Sequence, residues 1–465
     1  MSTSAQSACP VLIIGAGISG LACAYHLQQA GIPVNIVEAG TRPGGVIATK
    51  EKDGFRFDLG PQSFLTTQPL LELIDSLGIK DQLQYADRRA PRYILLRGQL
   101  VPAPMSPPSL LSTVLFSGGT KWRLLTEMMR RTKSPADDES IAAFVRRKFG
   151  PELLERMVAP FVSGVYAGDP ERLSMRASFP KIHEFESQYG SVLRGAMKSR
   201  PPKGTPRGGL CAFRNGMETL PRAVANRLGD SVRLETSVTA IRHGKANGKP
   251  RFEIDITRRD QHETLAASAV ILATPTQVTS QLLASVSDSF APVFSRIEYS
   301  PVNVLSACYR RDQFQRQPDG FGFLVPRTEG LHVLGTVFNS SLFPGRAPQG
   351  MVALTSFSGG ATDPQFCELS EQEITETICS EVARVLVIKG NPSAINLQRY
   401  ARALPQYNIG HTEIIKSLDG LAASVPGLFL AGNYLSGPSI GSCVEQAFRT
   451  ADAARNYFAS VKVNA

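Results

Sequence analysis

Residues 11–14, VLII, form an uninterrupted apolar run that leads directly into the sextet Gly15-Ala16-Gly17-Ile18-Ser19-Gly20. So short and continuous an apolar stretch predicts a strand buried on both faces, as in a parallel sheet. The following LACAYHLQQA reads as a helix ended by Gly31, and a second strand, VNIVE, ends at Glu38, twenty-three residues beyond Gly15. Each part has a physical task in holding a dinucleotide. Gly15 permits the tight turn, Gly17 admits main chain close to a pyrophosphate, and Gly20 lets the helix approach the sheet. Free N–H groups at the helix start, around Ala16, Ile18 and Ser19, offer donors and positive potential to phosphates. Glu38, followed by Ala39, is placed to accept hydrogen bonds from ribose hydroxyls. Strand, turn, helix, strand and acid together predict a dinucleotide site and leave open which dinucleotide.

At 465 residues the chain exceeds what one core can organise, which predicts two or three domains. Its 42% hydrophobic and 19% charged content is that of a globular protein. No run approaches the ~18 consecutive apolar residues of a spanning helix. The opening MSTSAQSACP has no basic n-region before the first strand, so no signal or transit peptide is expected. Cysteines at 9, 23, 211, 308, 367, 379 and 443 are scattered without a C-x-x-C pair, a pattern of buried free thiols in a reducing compartment. The histidines show no metal-ligand spacing, and no metal site is expected.

The net charge of +10 admits three readings. Nucleic acid is disfavoured by the lack of a recognised binding motif or of a basic block interleaved with aromatics. Attraction to an anionic membrane surface or an acidic substrate remains open, as does simple basic solubility.

Two further segments carry a resemblance. TRPGGVIATKEKDGFRFDLGPQSF (41–64) and LFLAGNYLSGPSIGSCVEQAF (428–448) resemble motifs of the large flavoprotein superfamily of amine oxidases, carotenoid desaturases and protoporphyrinogen oxidases. The resemblance implies FAD. Arg42, Gly44, Gly45 and Val46 would follow the pyrophosphate, and Gly60, Pro61, Gln62 and Ser63 would run beside the flavin ring, where glycine-rich main chain can lie flat. Gly432 and Asn433 would flank the phosphates and ribitol. Pro438, Ser439, Ile440 and Gly441 would lie near the ring, where a helix N-terminus stabilises negative charge on a reduced flavin. No second strand–G-x-G-x-x-G–helix unit occurs, so electrons are expected from an organic substrate rather than a nicotinamide.

Residues 215–244 read as a helix followed by strands, 245–249 as a hairpin loop, and AVILATP as an apolar strand ending near Pro275. This resembles a return to the FAD domain, with Val238 on the adenine side. The expected class is α/β plus α+β, with a discontinuous Rossmann-like FAD domain of GR2 type over 1–88, 205–275 and 405–465. An antiparallel-sheet substrate domain would comprise 89–105 and 276–404, where VNVLSACYR, LHVLGTVF and MVALTSF carry period-two patterns. A helical, membrane-associated insertion would fill 106–204.

Three middle phrases sharpen the resemblance to the oxygen-dependent protoporphyrinogen oxidases: PFVSGVYAGDPERLSMRASFP (160–180), DGFGFLVPRTEGLHVLGTVFNSSLFP (319–344) and LPQYNIGH (404–411). That family removes hydride from a porphyrinogen carbon and returns electrons to oxygen, forming peroxide. By this resemblance Arg92 would pair with a substrate propionate, Phe321 and Leu324 would sandwich a pyrrole ring, and Gly168 would turn its carbonyl to the substrate. Val337 and Phe357 would line the pocket. A surface arginine, core packing and a helix C-cap at Gly168 are the plain structural alternatives. No catalytic acid or base stands out. Coproporphyrinogen III is the nearest alternative substrate, an amine or polyene a more distant one.

Residues 101–131 combine apolar runs, the only tryptophan (Trp122) and flanking Lys and Arg, the profile of a surface that dips into one leaflet from the cytoplasmic side. An amphipathic helix packed on its own domain would read the same way. Contact with the next haem-pathway enzyme and a homodimer complete the partners that the resemblance allows.

Overall fold

The computed structural model describes residues 9–130, 132, 135, 137–199, 209–246 and 249–463. The opening segment 1–8, the predicted hairpin tip at 247–248, the insertion's end at 200–204 and the start of the second FAD-domain segment at 205–208 lie outside the described residues.

A mixed seven-stranded sheet carries the nucleotide motif. Its parallel strands are β1 (Cys9–Ile14), β2 (Val34–Val37), β10 (Val232–Arg233), β19 (Leu428–Leu430) and the second half of β13 (Gln261–Leu272). The first half of β13 pairs antiparallel with β12 (Lys249–Arg258), which pairs in turn with β11 (Thr236–Ala246). Helix α1 (Ile18–Gln29) begins at the sextet itself, earlier than the sequence pattern placed it, because Gly17 already takes the N-cap position. Small residues let α1 pack against the C-terminal helix α6 (Ile440–Val463): Cys23, Ala24, Ala447 and Ala451 are fully buried. The Cys23 thiol donates to the Ala447 carbonyl at 3.2 Å.

The second sheet runs in the order β18 (Ala394–Pro405), β14 (Tyr299–Arg310), β17 (Met351–Gly359), β16 (Val333–Val337), β15 (Gly322–Leu324), β7 (Arg92–Leu96) and β8 (Gln99–Pro102). The sequence reading of a purely antiparallel sheet needs one correction. β15 and β7 are parallel, because β7 arrives from a distant part of the chain rather than through a hairpin. One face is covered by α4 (Glu371–Leu386), whose Ile374, Ile378 and Val382 are buried with Leu305, Phe323 and Leu354. The other face carries the residues of interest.

Between β8 and β9 (Leu210–Phe213) lies the predicted helical insertion, including α2 (Ile141–Lys148) and α3 (Ala159–Tyr166). It is anchored to the second sheet through Ile94, which shares a core with Phe144 and Val162. Lys148 is buried there, with Nζ 3.1 Å from Glu127 and 3.2 Å from Glu186. β9 also pairs with β5 (Phe64–Leu65) and β6 (Leu83–Tyr85) in a small sheet absent from the sequence reading, and β3 (Thr49–Lys52) and β4 (Phe55–Asp58) form a hairpin. No helix among the described residues is long and apolar enough to cross a membrane.

Candidate active site

The sextet closes on itself as its glycines require. A Cβ on Gly20 would stand 2.0 Å from the Gly15 carbonyl oxygen, and Gly15 itself has φ +101°. Gly17 is different: its φ of −67° suits any residue, and no protein atom lies within 4 Å of where its Cβ would be. Neither strain nor protein crowding accounts for glycine there; a ligand against the main chain does. α1 starts without a side-chain cap or an acidic residue in its first turn, so its N–H groups and dipole are free for an anion.

Glu38 lies just past β2, and its two oxygens accept from the Ala16 N–H (2.7 Å) and the Gly40 N–H (2.8 Å). Each oxygen keeps a lone pair for a ribose hydroxyl. Ala39 and Val46 are exposed, whereas Gly44 pairs with Gly17 in an isolated bridge and a Cβ on Gly45 would lie 3.6 Å from the Gly17 Cα. Arg42 turns back on its own loop, donating to the carbonyls of Pro43, Gly45 and Ile47. A Cβ on Gly60 would meet the Val46 carbonyl oxygen at 2.3 Å, so this turn and the Gly44-Gly45-Val46 segment are in tight register. Pro61 and Ser63 are half-buried beside Gln62, which is buried.

At the other end of the chain, Gly432 has φ +153°, and the carbonyls that follow it are pinned from a separate element. The Tyr407 hydroxyl donates to the Asn433 carbonyl, and His411 Nε2 lies 2.9 Å from the Tyr434 carbonyl. His411 opens α5 (His411–Ala423), and burial lowers its pKa, so Nε2 is the protonated donor of a neutral ring. His411 therefore braces a turn, as the LPQYNIGH phrase allowed. Ser439, next to half-buried Pro438, caps α6 by accepting from the Ser442 N–H at 3.1 Å. Ile440 and Gly441 are buried, and a Cβ on Gly441 would meet Thr67 at 2.7 Å. Cys443 is buried, and burial pushes its thiol up to about 11, far from a reactive thiolate. Val238 sits at a bulge in β11, packed against the core of the nucleotide sheet.

These features fit a bound dinucleotide from the pyrophosphate turn to the N-terminus of α6. A family model described as flavin containing amine oxidoreductase matches residues 18–455. The chain belongs to that flavin-containing oxidoreductase family. Within it the chain is of the protoporphyrinogen oxidase type. It is 35% identical to protoporphyrinogen oxidase 1, chloroplastic, of Arabidopsis thaliana, over 96% of this chain and 88% of that protein. It is 28% identical to coproporphyrinogen III oxidase of Bacillus subtilis (strain 168), over 94% and 96% of the two chains. The crystal structure of a protein from Exiguobacterium sp. 255-15, assigned provisionally as a protoporphyrinogen oxidase, superposes with a TM-score of 0.81 at 25% identity, covering 96% of this chain and 98% of that one. The cofactor of this oxidoreductase is FAD.

For this flavoprotein the second sheet supplies the opposing surface. Register places Arg92 opposite Gly322, Gly322 opposite Val337, Leu324 opposite Gly335, and Gly335 opposite Phe357. Partners in register present side chains to the same face, so Arg92, Leu324, Val337 and Phe357 share one face of the sheet. Phe321 joins Val337 against the core of the nucleotide sheet although strand alternation assigns it elsewhere. Gly322, at φ +139° and crowding the Thr336 carbonyl, breaks the alternation. Helix α3 faces this surface, since a Cβ on Gly164 would lie 2.6 Å from Leu324 Cδ2.

Gly168 is not the helix C-cap. The left-handed position is Ala167 (φ +47°), and Gly168 is small because a Cβ there would lie 2.5 Å from Leu173 Cδ1 and 2.8 Å from Gln406 Oε1. Two buried contacts escaped the sequence reading: the Asp58–Arg346 ion pair at 2.7 Å and the Gln62–Asn339 amide pair, also at 2.7 Å. Their only trace in sequence is a polar residue within an otherwise apolar phrase.

Proposed function

We propose that this flavoenzyme oxidises protoporphyrinogen IX to protoporphyrin IX, with oxygen as the electron acceptor and hydrogen peroxide as the co-product, in haem biosynthesis. The observation that carries the reading is the composition of the shared face. Arg92 is the sole cation among Arg92, Leu324, Val337, Phe357 and their partners in register on β14 to β16, and the remaining positions are apolar or small. A macrocycle needs broad apolar surface, and one guanidinium can hold one of protoporphyrinogen's two propionates. Coproporphyrinogen III, with four propionates, calls for a more basic wall; the Bacillus relative's name keeps it as the competing substrate.

Division of labour follows from placement. FAD, when bound, supplies the two-electron acceptor for hydride from a porphyrinogen carbon. Gly15, Gly17, Gly20 and the α1 N-terminus would hold its pyrophosphate, Glu38 its ribose, and Gly60–Ser63 with Pro438–Gly441 its ring. Arg92 anchors the substrate carboxylate, while Phe321 and Leu324 offer flat and branched apolar surfaces to a pyrrole ring and Gly168 its carbonyl. Orientation and exclusion of water do the work here, without a proton-transfer side chain.

The same reading assigns the FAD, substrate and helical domains to the segments set out from sequence, and docks the insertion on the cytoplasmic face of an anionic membrane. Leu115 and Phe116 tie this segment to the insertion's own core, while Trp122 is 69% exposed and Met129 80%, which leaves an apolar outer surface for a leaflet. Leu111, Val114 and Leu125 are exposed as well. Lys121 and Arg130 donate to backbone carbonyls rather than to carboxylates, which leaves their charge for head groups.

Purified yellow protein mixed with each porphyrinogen under air should give porphyrin fluorescence and peroxide, faster with protoporphyrinogen IX. A flavin that stays oxidised on anaerobic mixing with either porphyrinogen would overturn the assignment.

A further inference from the structure

Two buried amides connect the flavin side of the molecule to its substrate side. Asn339 Nδ2 donates to Gln62 Oε1 at 2.7 Å, and both residues are buried. Gln62 Nε2 donates in turn to the carbonyls of Asp58 (2.7 Å) and Gly60 (2.9 Å). The Gln62 amide thus uses both of its hydrogens and its oxygen, and its orientation is unambiguous: reversed, its oxygen would face two carbonyl oxygens. Asn339 has no protein partner for its own amide oxygen among the described residues, so the bond to Gln62 is what orients it.

The position of each residue gives this bond its meaning. Gln62 belongs to the Gly60–Ser63 turn, which is wedged against the Val46 carbonyl on its other side. Asn339 opens a one-turn helix (Asn339–Leu342) two residues after Val337, and the intervening Phe338 N–H donates to the Phe321 carbonyl at 3.0 Å. Hydrogen bonds, with the Phe338–Asn339 peptide link between them, therefore connect Phe321 through Asn339 and Gln62 to the Gly60 carbonyl. Arg346 and Asp58, each 1% exposed, close the same seam with an ion pair of 2.7 Å. The ion pair supplies strength, and the amide pair supplies direction.

We propose that Asn339 is a positioning residue that sets the Gly60–Ser63 turn, and with it the flavin ring, relative to the sheet bearing Phe321 and Arg92. The inference rests on the reading above that this turn borders the flavin ring. Removing the Asn339 amide leaves Gln62 Oε1 buried without a donor, and the turn is then free to settle elsewhere. Transfer between two bound partners is steeply sensitive to sub-ångström misplacement, whereas cofactor retention and substrate affinity are not.

The test uses the holoenzyme with Asn339→Leu, Gln62→Leu and the double variant, and it reads the flavin directly. Asn339→Leu should keep its FAD but shift the visible flavin band and the midpoint potential measured by dye equilibration, a readout that needs no porphyrinogen. The limiting rate of anaerobic flavin reduction should fall about tenfold or more, with the substrate dissociation constant within about twofold of the parent. The double variant should be no worse than the poorer single one, because both singles remove one interaction. An unchanged flavin band and potential in folded Asn339→Leu, or additive losses in the double variant, would overturn the proposal. Asn339→Ala, which removes the donor to Gln62 without adding a bulky apolar group, covers a folding failure of the leucine variants and should show the same band and potential shifts. If it too fails to unfold cooperatively, the pair serves the fold alone and the proposal falls. Should the porphyrinogen assignment be wrong, the parent would resist reduction by porphyrinogens while the band and potential shifts in Asn339→Leu would persist.

Discussion

The Arg92 guanidinium lies over the Phe321 ring, 5.2 Å from its centroid, at the edge of the face that also bears Leu324, Val337 and Phe357. The stacking holds a long side chain in one place without neutralising it, since no described carboxylate pairs with it. A cation kept in place and unpaired is suited to a ligand carboxylate.

Arg92→Ala should raise KM for the porphyrinogen by about 10- to 100-fold, the ~1.5–3 kcal/mol of a charge-assisted hydrogen bond, with a smaller change in kcat. Arg92→Lys should recover only part of the loss, because an ammonium lacks the planar fork and stacks less well on Phe321. Steady-state kinetics on the three proteins decides it; equal KM values would remove Arg92 from the substrate site.

Gly17→Ala and Gly20→Ala should fail in different ways. Gly17 has open space around its absent Cβ, so the alanine protein should fold with the parent's apo stability but bind FAD more weakly. Gly20 has the Gly15 carbonyl 2.0 Å away, so alanine there should cost about 1–3 kcal/mol of fold stability before any cofactor is added. Thermal unfolding of apoprotein and FAD titration separate the two.

Acid should loosen the helical insertion in a defined window. Burial opposes ionisation of Glu186, but hydrogen bonds from Arg147 and Thr132 and the charge of Lys148 overcome it and hold the carboxyl at about 2, against an ordinary 4.5. A depressed folded pKa means stabilisation that is present above the ordinary value and is lost as pH falls from about 4.5 towards 2. Glu186→Gln should flatten that acid limb in circular dichroism and cost about 1–3 kcal/mol at neutral pH, as Arg147 and Lys148 lose a buried acceptor.

The single tryptophan reports on membrane docking. Vesicles containing anionic lipid should shift Trp122 emission to shorter wavelength and sediment with the protein, and salt should weaken both effects. Trp122→Ser with Met129→Ser should reduce sedimentation while leaving flavin content unchanged. No shift at low salt would assign this apolar surface to some other partner.

Much of the nucleotide site was legible in the sequence because its parts lie within a few dozen residues. Gly15, Gly17, Gly20 and Glu38 act through local turn geometry, helix start and strand end, which neighbouring residues dictate. The second sheet was legible as strands, from alternation, but not as an arrangement. Alternation is blind to strand direction, so the parallel β7–β15 pair was missed, and blind to the way Gly322 turns Phe321 towards the flavin side. The helix C-cap weighed as the alternative role for Gly168 falls one residue earlier, on Ala167.

The sequence by itself determined a flavin cofactor and the family, because both are written in short, self-contained motifs. Only the tertiary structure decided which side chains meet: Arg92 over Phe321, Asp58 against Arg346, and Asn339 on Gln62 across 277 positions of chain. Such contacts depend on register and on burial between distant segments, and a buried polar residue needs a partner that nothing in its own neighbourhood specifies.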